Sequence, residues 1–267
     1  MRNSSYDEGT FMDAHGRKIF YRVWRARRTK GVIALFHALG LHSGRYTWFC
    51  EELASRGFSC YAVDLYGYGL SEGPRGGNLK GVLTSGERFL QLVATKCKSS
   101  SLITVGHGSG VLVAQYSANA AGLSPSLLAV EPLHEIVAHL HSIARLKLLS
   151  LFNLCVKVLP QPLYDVEHSD SLLEAEEDNL VISCVPAKLV LQLIGLLKNR
   201  LTLNDSVTVF GAGWDERSIS IIREMYPCGK ELCFNPQHDK FPFDEALELL
   251  VKRGGPPNRI GDVGGGP

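Results

Sequence analysis

Short apolar runs alternate with helix-compatible stretches through the first half of this chain, and that rhythm leaves few folds open. Val32–Phe36, Phe58–Asp64, Ser101–Val105 and Ser126–Val130 each read as a buried strand. Near-continuous apolar runs bounded by turn residues suit strands covered on both faces. Tyr46–Arg56, Ser85–Cys97 and Val111–Ala120 lie between them and read as helices, the first stopping at Gly57. Strands separated by helices pair in parallel, so the expectation is an α/β fold with a mainly parallel central sheet flanked by helices. Ahead of them, Gly9–Asp13 and Lys18–Trp24 flank Ala14-His15-Gly16-Arg17 and read as a hairpin.

The rhythm breaks after Pro132. From Leu133 to about Arg200 the chain reads as helices and loops, with no strand of comparable quality. Val207–Phe210 and Glu231–Phe234 then resume the strands, and Phe243–Val251 closes as a helix. The expected organisation is a core in two parts, 1–132 and 201–253, with a helical cap insertion over 133–200. A Gly- and Pro-rich tail, 254–267, is read as disordered. Such an insertion would sit over the carboxyl ends of the strands, where open α/β sheets bind ligands. Leu146, Leu149, Phe152, Val156 and Leu159 recur at helical spacing. In most proteins that stripe is core; in a cap it would line an apolar pocket or touch a membrane surface.

Composition removes several classes. A net charge of +1 over 267 residues gives no reason to expect nucleic acid or an acidic membrane as a partner. The seven cysteines (Cys50, Cys60, Cys97, Cys155, Cys184, Cys228, Cys233) lack C-x-x-C spacing. They read as reduced, mostly buried thiols of an intracellular, cytoplasmic protein. The N-terminal segment has no apolar signal core. Leu140–Leu159 carries His141, Arg145, Lys147 and Lys157, so no transmembrane segment is expected. No metal or cofactor is implied: His134, His139 and His141 have poor ligand spacing, and Gly67, Gly69 and Gly73 lack the G-x-G-x-x-G order of a phosphate loop.

The run Leu102–Val105 leads into Gly106-His107-Gly108-Ser109-Gly110, and a helix-compatible stretch follows. Strand, sharp turn and helix form the setting of the pattern G-x-S-x-G, whose middle residue is a nucleophile. Taking Gly106 and Gly110 as the outer glycines puts that nucleophile at position 108. The residue there is Gly108, which has no hydroxyl to acylate. Ser109 as nucleophile would need glycines at 107 and 111, where the chain has His107 and Val111. It reads instead as a loop serine bonded to nearby backbone.

Two further stretches agree with this one. His37-Ala38-Leu39-Gly40-Leu41-His42-Ser43-Gly44-Arg45-Tyr46 resembles the H-G-x-G-x-H-S-x-R-Y stretch of monoacylglycerol lipases and lysophospholipases, a family of α/β-hydrolase fold. Asp64-Leu65-Tyr66-Gly67-Tyr68-Gly69-Leu70-Ser71-Glu72-Gly73 is similar to their D-x-x-G-x-G-x-S-x-G loop, and 106–110 stands where they carry G-H-S-x-G. The resemblance covers roughly residues 9–252 and implies a chain order of Ser, Asp, His. It would make His238 the base, Asp215 the acid, and the backbone N–H groups of Leu39 and Ser109 the oxyanion donors.

Departures cluster on that site. Gly108 replaces the serine, Ala38 replaces the glycine after His37, where its Cβ is expected to disturb a loop that must hold an amide in a fixed direction, and Val111 replaces a glycine after the turn. Asp215 lies four residues past Gly211, where the family has three, so Trp214 falls on the acid's usual place. The implied function is a catalytically inactive homologue that binds an acyl lipid or other apolar ligand under its cap, or serves a protein partner in an assembly; peripheral membrane contact fits either. The alternative is an active serine hydrolase of monoglycerides, lysophospholipids or small carboxylic esters, using Ser109 or a water activated by His238.

Overall fold

The computed structural model describes residues 4–97, 101–132, 143–158, 178–198, 207–212, 220, 231–235 and 242–252. Asp215, His238, Trp214, Leu159, His134, His139, His141 and the 254–267 tail lie outside them.

The chain opens as the expected hairpin, with longer arms: β1 (Ser4–Met12) runs antiparallel to β2 (Lys18–Ala26). Asp13 holds the turn. Its carboxylate accepts the N–H groups of His15 (2.8 Å) and Arg17 (3.0 Å) and pairs with the Arg17 guanidinium. Burial disfavours the charged carboxyl, but Arg17 and the two N–H groups outweigh it and hold the pKa below the ordinary range.

The strand–helix rhythm then appears as expected. It comprises β3 (Gly31–Phe36), α1 (Thr47–Ser55), β4 (Phe58–Val63), α2 (Leu79–Ala94), β5 (Ser101–His107), α3 (Gly110–Ala120) and β6 (Ser126–Val130). All six residues of β3 and of β4 are buried, which is why these strands read as continuous apolar runs. After the inserted segment come β9 (Val207–Ala212), β10 (Glu231–Asn235) and α6 (Pro242–Lys252). One eight-stranded sheet forms in the order β1-β2-β4-β3-β5-β6-β9-β10. Only the β1–β2 and β2–β4 pairs are antiparallel; the other pairings are parallel.

The sheet separates two apolar clusters. On one side Ile33, Leu35, Cys60, Ala62 and Val105 pack with Phe49 and Leu53 of α1 and with Phe243 and Leu247 of α6. On the other, Ala34, Phe36 and Val63 pack with Phe89 and Leu90 of α2 and with Val113 of α3. Helix α2 starts six residues before the expected Ser85. Asn78 caps it, accepting the Gly81 N–H at 2.9 Å, and the glycines at 81 and 86 had masked the helical pattern.

Within the inserted segment the described elements are α4 (Ile143–Leu151), β7 (Cys155–Lys157), β8 (Cys184–Pro186) and α5 (Ala187–Lys198). The antiparallel β7–β8 pair adds two short strands to the expected helices and loops; three-residue strands are too short to show a period. It also divides the apolar stripe. Asn153 takes φ +53, α4 has already ended at Leu151, and Val156 lies on a strand. Leu146 and Val156 are buried, whereas Phe152 is 68% exposed. Leu189, Val190 and Leu193 of α5 join the cluster on the α2–α3 face, so the insertion and the sheet share one core.

Helix α3 approaches the sheet so closely that its junction with β5 tolerates no side chain at two points. A Cβ on Gly106 would lie 2.5 Å from Val111 Cα and 2.7 Å from Val111 N. On Gly110 it would run into the Phe36 and His37 carbonyl oxygens, the latter at 2.5 Å. Backbone atoms on both sides leave nothing flexible to retreat. Gly110→Ala is therefore expected to cost about 3 kcal/mol, the upper part of the overpacking range, measured by urea unfolding; a loss below about 0.5 kcal/mol would refute this tight junction.

Candidate active site

Gly108 is the apex of the β5–α3 turn. It takes φ +54, the left-handed region, and donates its N–H to Val130 O at 3.0 Å, at the end of β6. Ser109 is already helical, at φ −66 and ψ −19, and caps α3 without a side-chain bond to the helix. Its hydroxyl oxygen accepts the Leu39 N–H at 3.1 Å and is buried. The structure thus brings together Leu39, Gly108 and Ser109, while Asp215 and His238 lie outside the described residues. It adds one feature that the sequence reading had not anticipated. The Leu39 N–H, expected to aim at a developing oxyanion, is directed at Ser109 Oγ.

The loop bearing Leu39 leaves β3 at His37 and is held by a set of buried side chains. His37 Nε2 accepts the Leu65 N–H at 3.0 Å, so its proton sits on Nδ1, which lies 2.8 Å from the Ala38 carbonyl oxygen it serves. Burial lowers the His37 pKa to about 4, keeping the ring neutral. The Ala38 N–H donates to the Tyr46 hydroxyl at 3.1 Å, and that hydroxyl is shared with His107 Nδ1 at 2.8 Å. Phe243 packs edge-on against both Tyr46 and His107. Ala38 is not among the residues of positive φ; Gly40 is, at +85. The alanine therefore replaces a glycine without a backbone penalty, contrary to the expectation that its Cβ would disturb the loop.

The inserted segment docks on this same loop. His42 Nδ1 accepts the Gly44 N–H at 3.2 Å, leaving Nε2–H to donate to Asp178 Oδ2 at 2.8 Å. Ile182 N–H donates to Gly40 O at 2.8 Å, and Arg75 reaches the carbonyls of Asn179 (3.2 Å) and Val181 (3.3 Å). Burial alone would raise the Asp178 carboxyl, but the bonds from His42 and the Leu180 N–H hold it below the ordinary range. Asp178 and Arg75 escaped the sequence reading, and no local signal marks a pair 136 positions apart such as His42–Asp178. Glu131 escaped it too. It is a buried carboxylate in a left-handed conformation (φ +46) just past β6, with its N–H on Phe210 O at 2.8 Å. Strained buried residues of this kind concentrate at functional sites.

Comparison with known proteins agrees with this architecture. The serine aminopeptidase S33 family matches residues 27–209, more than half of the chain, and the chain belongs to that family of α/β-hydrolases. Within it, the chain is similar to a monoacylglycerol lipase. It is 32% identical over 152 residues to the monoacylglycerol lipase of Mycolicibacterium smegmatis, a match covering 49% of this chain and 54% of the lipase. It is 42% identical over 71 residues to an uncharacterized Escherichia coli protein, YnbC, covering 26% of this chain and 12% of YnbC. The matched length is thus about half of one curated relative and far less of the other. A soluble variant of monoglyceride lipase from Saccharomyces cerevisiae shares the fold, with TM-score 0.70, 15% identity and 94% coverage of each chain.

The neutral, buried His37 predicts an acid-side loss of stability. Its folded pKa of about 4 lies below the ordinary 6.5, so between these values the unfolded chain takes up the proton and the folded one does not. Stability should fall as pH drops from 6.5 towards 4, by about 3 kcal/mol in all. Chemical denaturation across that range should show a shallower slope in His37→Gln, and an unchanged slope would contradict the assignment.

Proposed function

We propose that this chain is a monoacylglycerol-lipase-like α/β-hydrolase that does not hydrolyse, and that it acts by binding an apolar acyl ligand under its inserted segment. The observation that carries this reading is the left-handed Gly108 at the apex between Gly106 and Gly110, read as the nucleophile position. A serine hydrolase acylates a hydroxyl at that apex, and glycine offers none. Ser109 is a poor substitute. Its backbone is helical, and its buried oxygen accepts the N–H that would otherwise stabilise an oxyanion. His238 and Asp215, as base and acid, would then have no nucleophile to activate.

The ligand class rests on two supports. The mycobacterial and yeast proteins are named as lipases of monoacylglycerols, and the end of α4 is apolar and exposed. Leu148, Leu151, Phe152 and Leu154 are each at least half exposed around the end of α4, and the exposed Arg145, Lys147 and Lys157 lie beside them. An exposed apolar patch among cations suits peripheral contact with an anionic lipid surface, from which an acyl chain would be taken up. Among the described residues no helix is long and apolar enough to cross a membrane.

An activity-based fluorophosphonate probe should leave the protein unlabelled, and adduct formation on Ser109 would overturn the inactive reading. Absence of the nucleophile costs on the order of a million-fold in turnover. Gly108→Ser should still show little esterase activity, because the Leu39 N–H remains engaged by Ser109 Oγ. The variant should also lose about 1 kcal/mol of stability from placing a side chain at positive φ. Esterase turnover approaching that of an ordinary serine hydrolase would instead mean that the remaining machinery is intact. Mass spectrometry of a lipid extract from the purified protein should find an acyl lipid; an empty protein would favour a role within a protein assembly.

A further inference from the structure

Helix α1 and strand β4 form a tight unit. The helix ends at Ser55, the chain reverses through Arg56 and Gly57 (φ +99), and β4 begins at Phe58. This reversal lays Cys50 of α1 directly over Cys60 of β4. Their Sγ atoms are 2.9 Å apart, and both residues are completely buried in the cluster between α1 and the sheet. Ordinary core cysteines pack against whatever apolar neighbour is nearest. Here each sulfur faces the other, about 0.9 Å beyond the 2.05 Å of a disulfide. Cys97, Cys155 and Cys184 are placed differently. Cys97 bonds the Val93 carbonyl at 3.4 Å, while Cys155 and Cys184 are exposed and stand opposite Pro186 and Lys157 rather than each other.

We propose that Cys50 and Cys60 are an internal disulfide site, closed by exchange with a low-molecular-weight disulfide such as oxidised glutathione. The thiolate of one cysteine attacks the glutathione disulfide, breaking its S–S bond, forming a mixed disulfide and releasing one glutathione thiolate. The second cysteine then attacks the protein sulfur of that mixed disulfide, forming the Cys50–Cys60 bond and releasing the second glutathione. Two protein thiols are oxidised and one glutathione disulfide is reduced to two thiols; two protons pass from the cysteines to the departing glutathiones. Burial pushes the Cys50 thiol up, so the closed core suppresses the thiolate. Exchange therefore proceeds while the chain folds, or when α1 opens. The product pins α1 to the sheet immediately after Tyr46, whose hydroxyl holds Ala38 and His107.

The test uses the full chain, unfolded in urea with reductant and refolded in equimolar reduced and oxidised glutathione. After alkylation, trypsin cuts at Arg45, Arg56 and Arg75, leaving Cys50 in peptide 46–56 and Cys60 in peptide 57–75. Without reductant, mass spectrometry should find these two peptides joined, and the joined species should vanish on reduction. The oxidised chain should show an unfolding constant lowered about a hundredfold against the reduced chain, as expected for closing a loop of about ten residues. Cys60→Ala should abolish that redox difference. Folded protein held in the same buffer should reach the same product more slowly. Separately alkylated peptides 46–56 and 57–75, or a bridge from either cysteine to any other, would overturn the proposal.

Discussion

The contact of α3 with the end of β3 sets the geometry from which the rest of the site follows. Gly110 lies against the Phe36 and His37 carbonyl oxygens with no room for a methyl group, and Gly106 lies as tightly against Val111. These are backbone-on-backbone contacts, so the distance between helix and sheet does not depend on side-chain packing choices. Glycine at the start of a helix costs conformational entropy, on the order of 1 kcal/mol. The close approach offsets that by burying Val111, Leu112, Val113 and Ala114 of α3 almost completely. The loop that leaves β3 at His37 therefore starts a fixed distance from the β5–α3 turn. Leu39 and Ser109, 70 positions apart in sequence, meet at 3.1 Å because of it.

Around that contact the polar groups are arranged to hold the loop still. His37 is tied at both ring nitrogens to backbone, His42 at one to its own turn and at the other to Asp178, and His107 through Tyr46 to Ala38. A neutral imidazole has one donor and one acceptor, and His37 and His42 use both. These rings therefore act as struts, and protonating His37 would put a donor against the Leu65 N–H. This satisfaction matters more than the individual bonds, because an unpaired buried polar group costs more than a bond returns. The inserted segment belongs to the same network through Asp178, Ile182 and Arg75, so its placement and the shape of the loop are one question.

The fold was largely legible because its central strands are continuous apolar runs, and β3, β4 and β6 fall within a residue of where the pattern puts them. The start of α2 was not, since Asn78 as a cap is a local hydrogen bond and Gly81 and Gly86 dilute the helical signal. The β7–β8 pair was invisible for a different reason. Three residues carry no period, and their pairing joins chain segments almost thirty positions apart. At the site, the turn at 106–110 showed in the sequence because close approach demands glycines, and glycines can be counted. What could not be read is everything that depends on long-range meeting: Ser109 Oγ on the Leu39 N–H, His42 on Asp178, and the sulfur contact of Cys50 with Cys60. Ala38 was misjudged because the motif marks a glycine there, whereas the loop places its positive φ on Gly40.

Gly108 differs from its two neighbouring glycines in what it answers to. Gly106 and Gly110 are demanded by packing, and any chain with this helix–sheet distance would need them. At 108 the backbone is left-handed, where a serine is tolerated at a cost of about 1–2 kcal/mol and glycine is not strained. An active elbow keeps that strained side chain because the chemistry requires its hydroxyl at the apex. On the proposed reading, this chain retains the contacts that build the turn and lacks the group that made its strain useful. On the same reading, the Ser109 hydroxyl takes the Leu39 N–H that a hydrolase would aim at an oxyanion. Glycine at 108 avoids the strain of a left-handed side chain and Ser109 holds the Leu39 N–H, and on the proposed reading both suit a turn kept for binding rather than for acyl transfer.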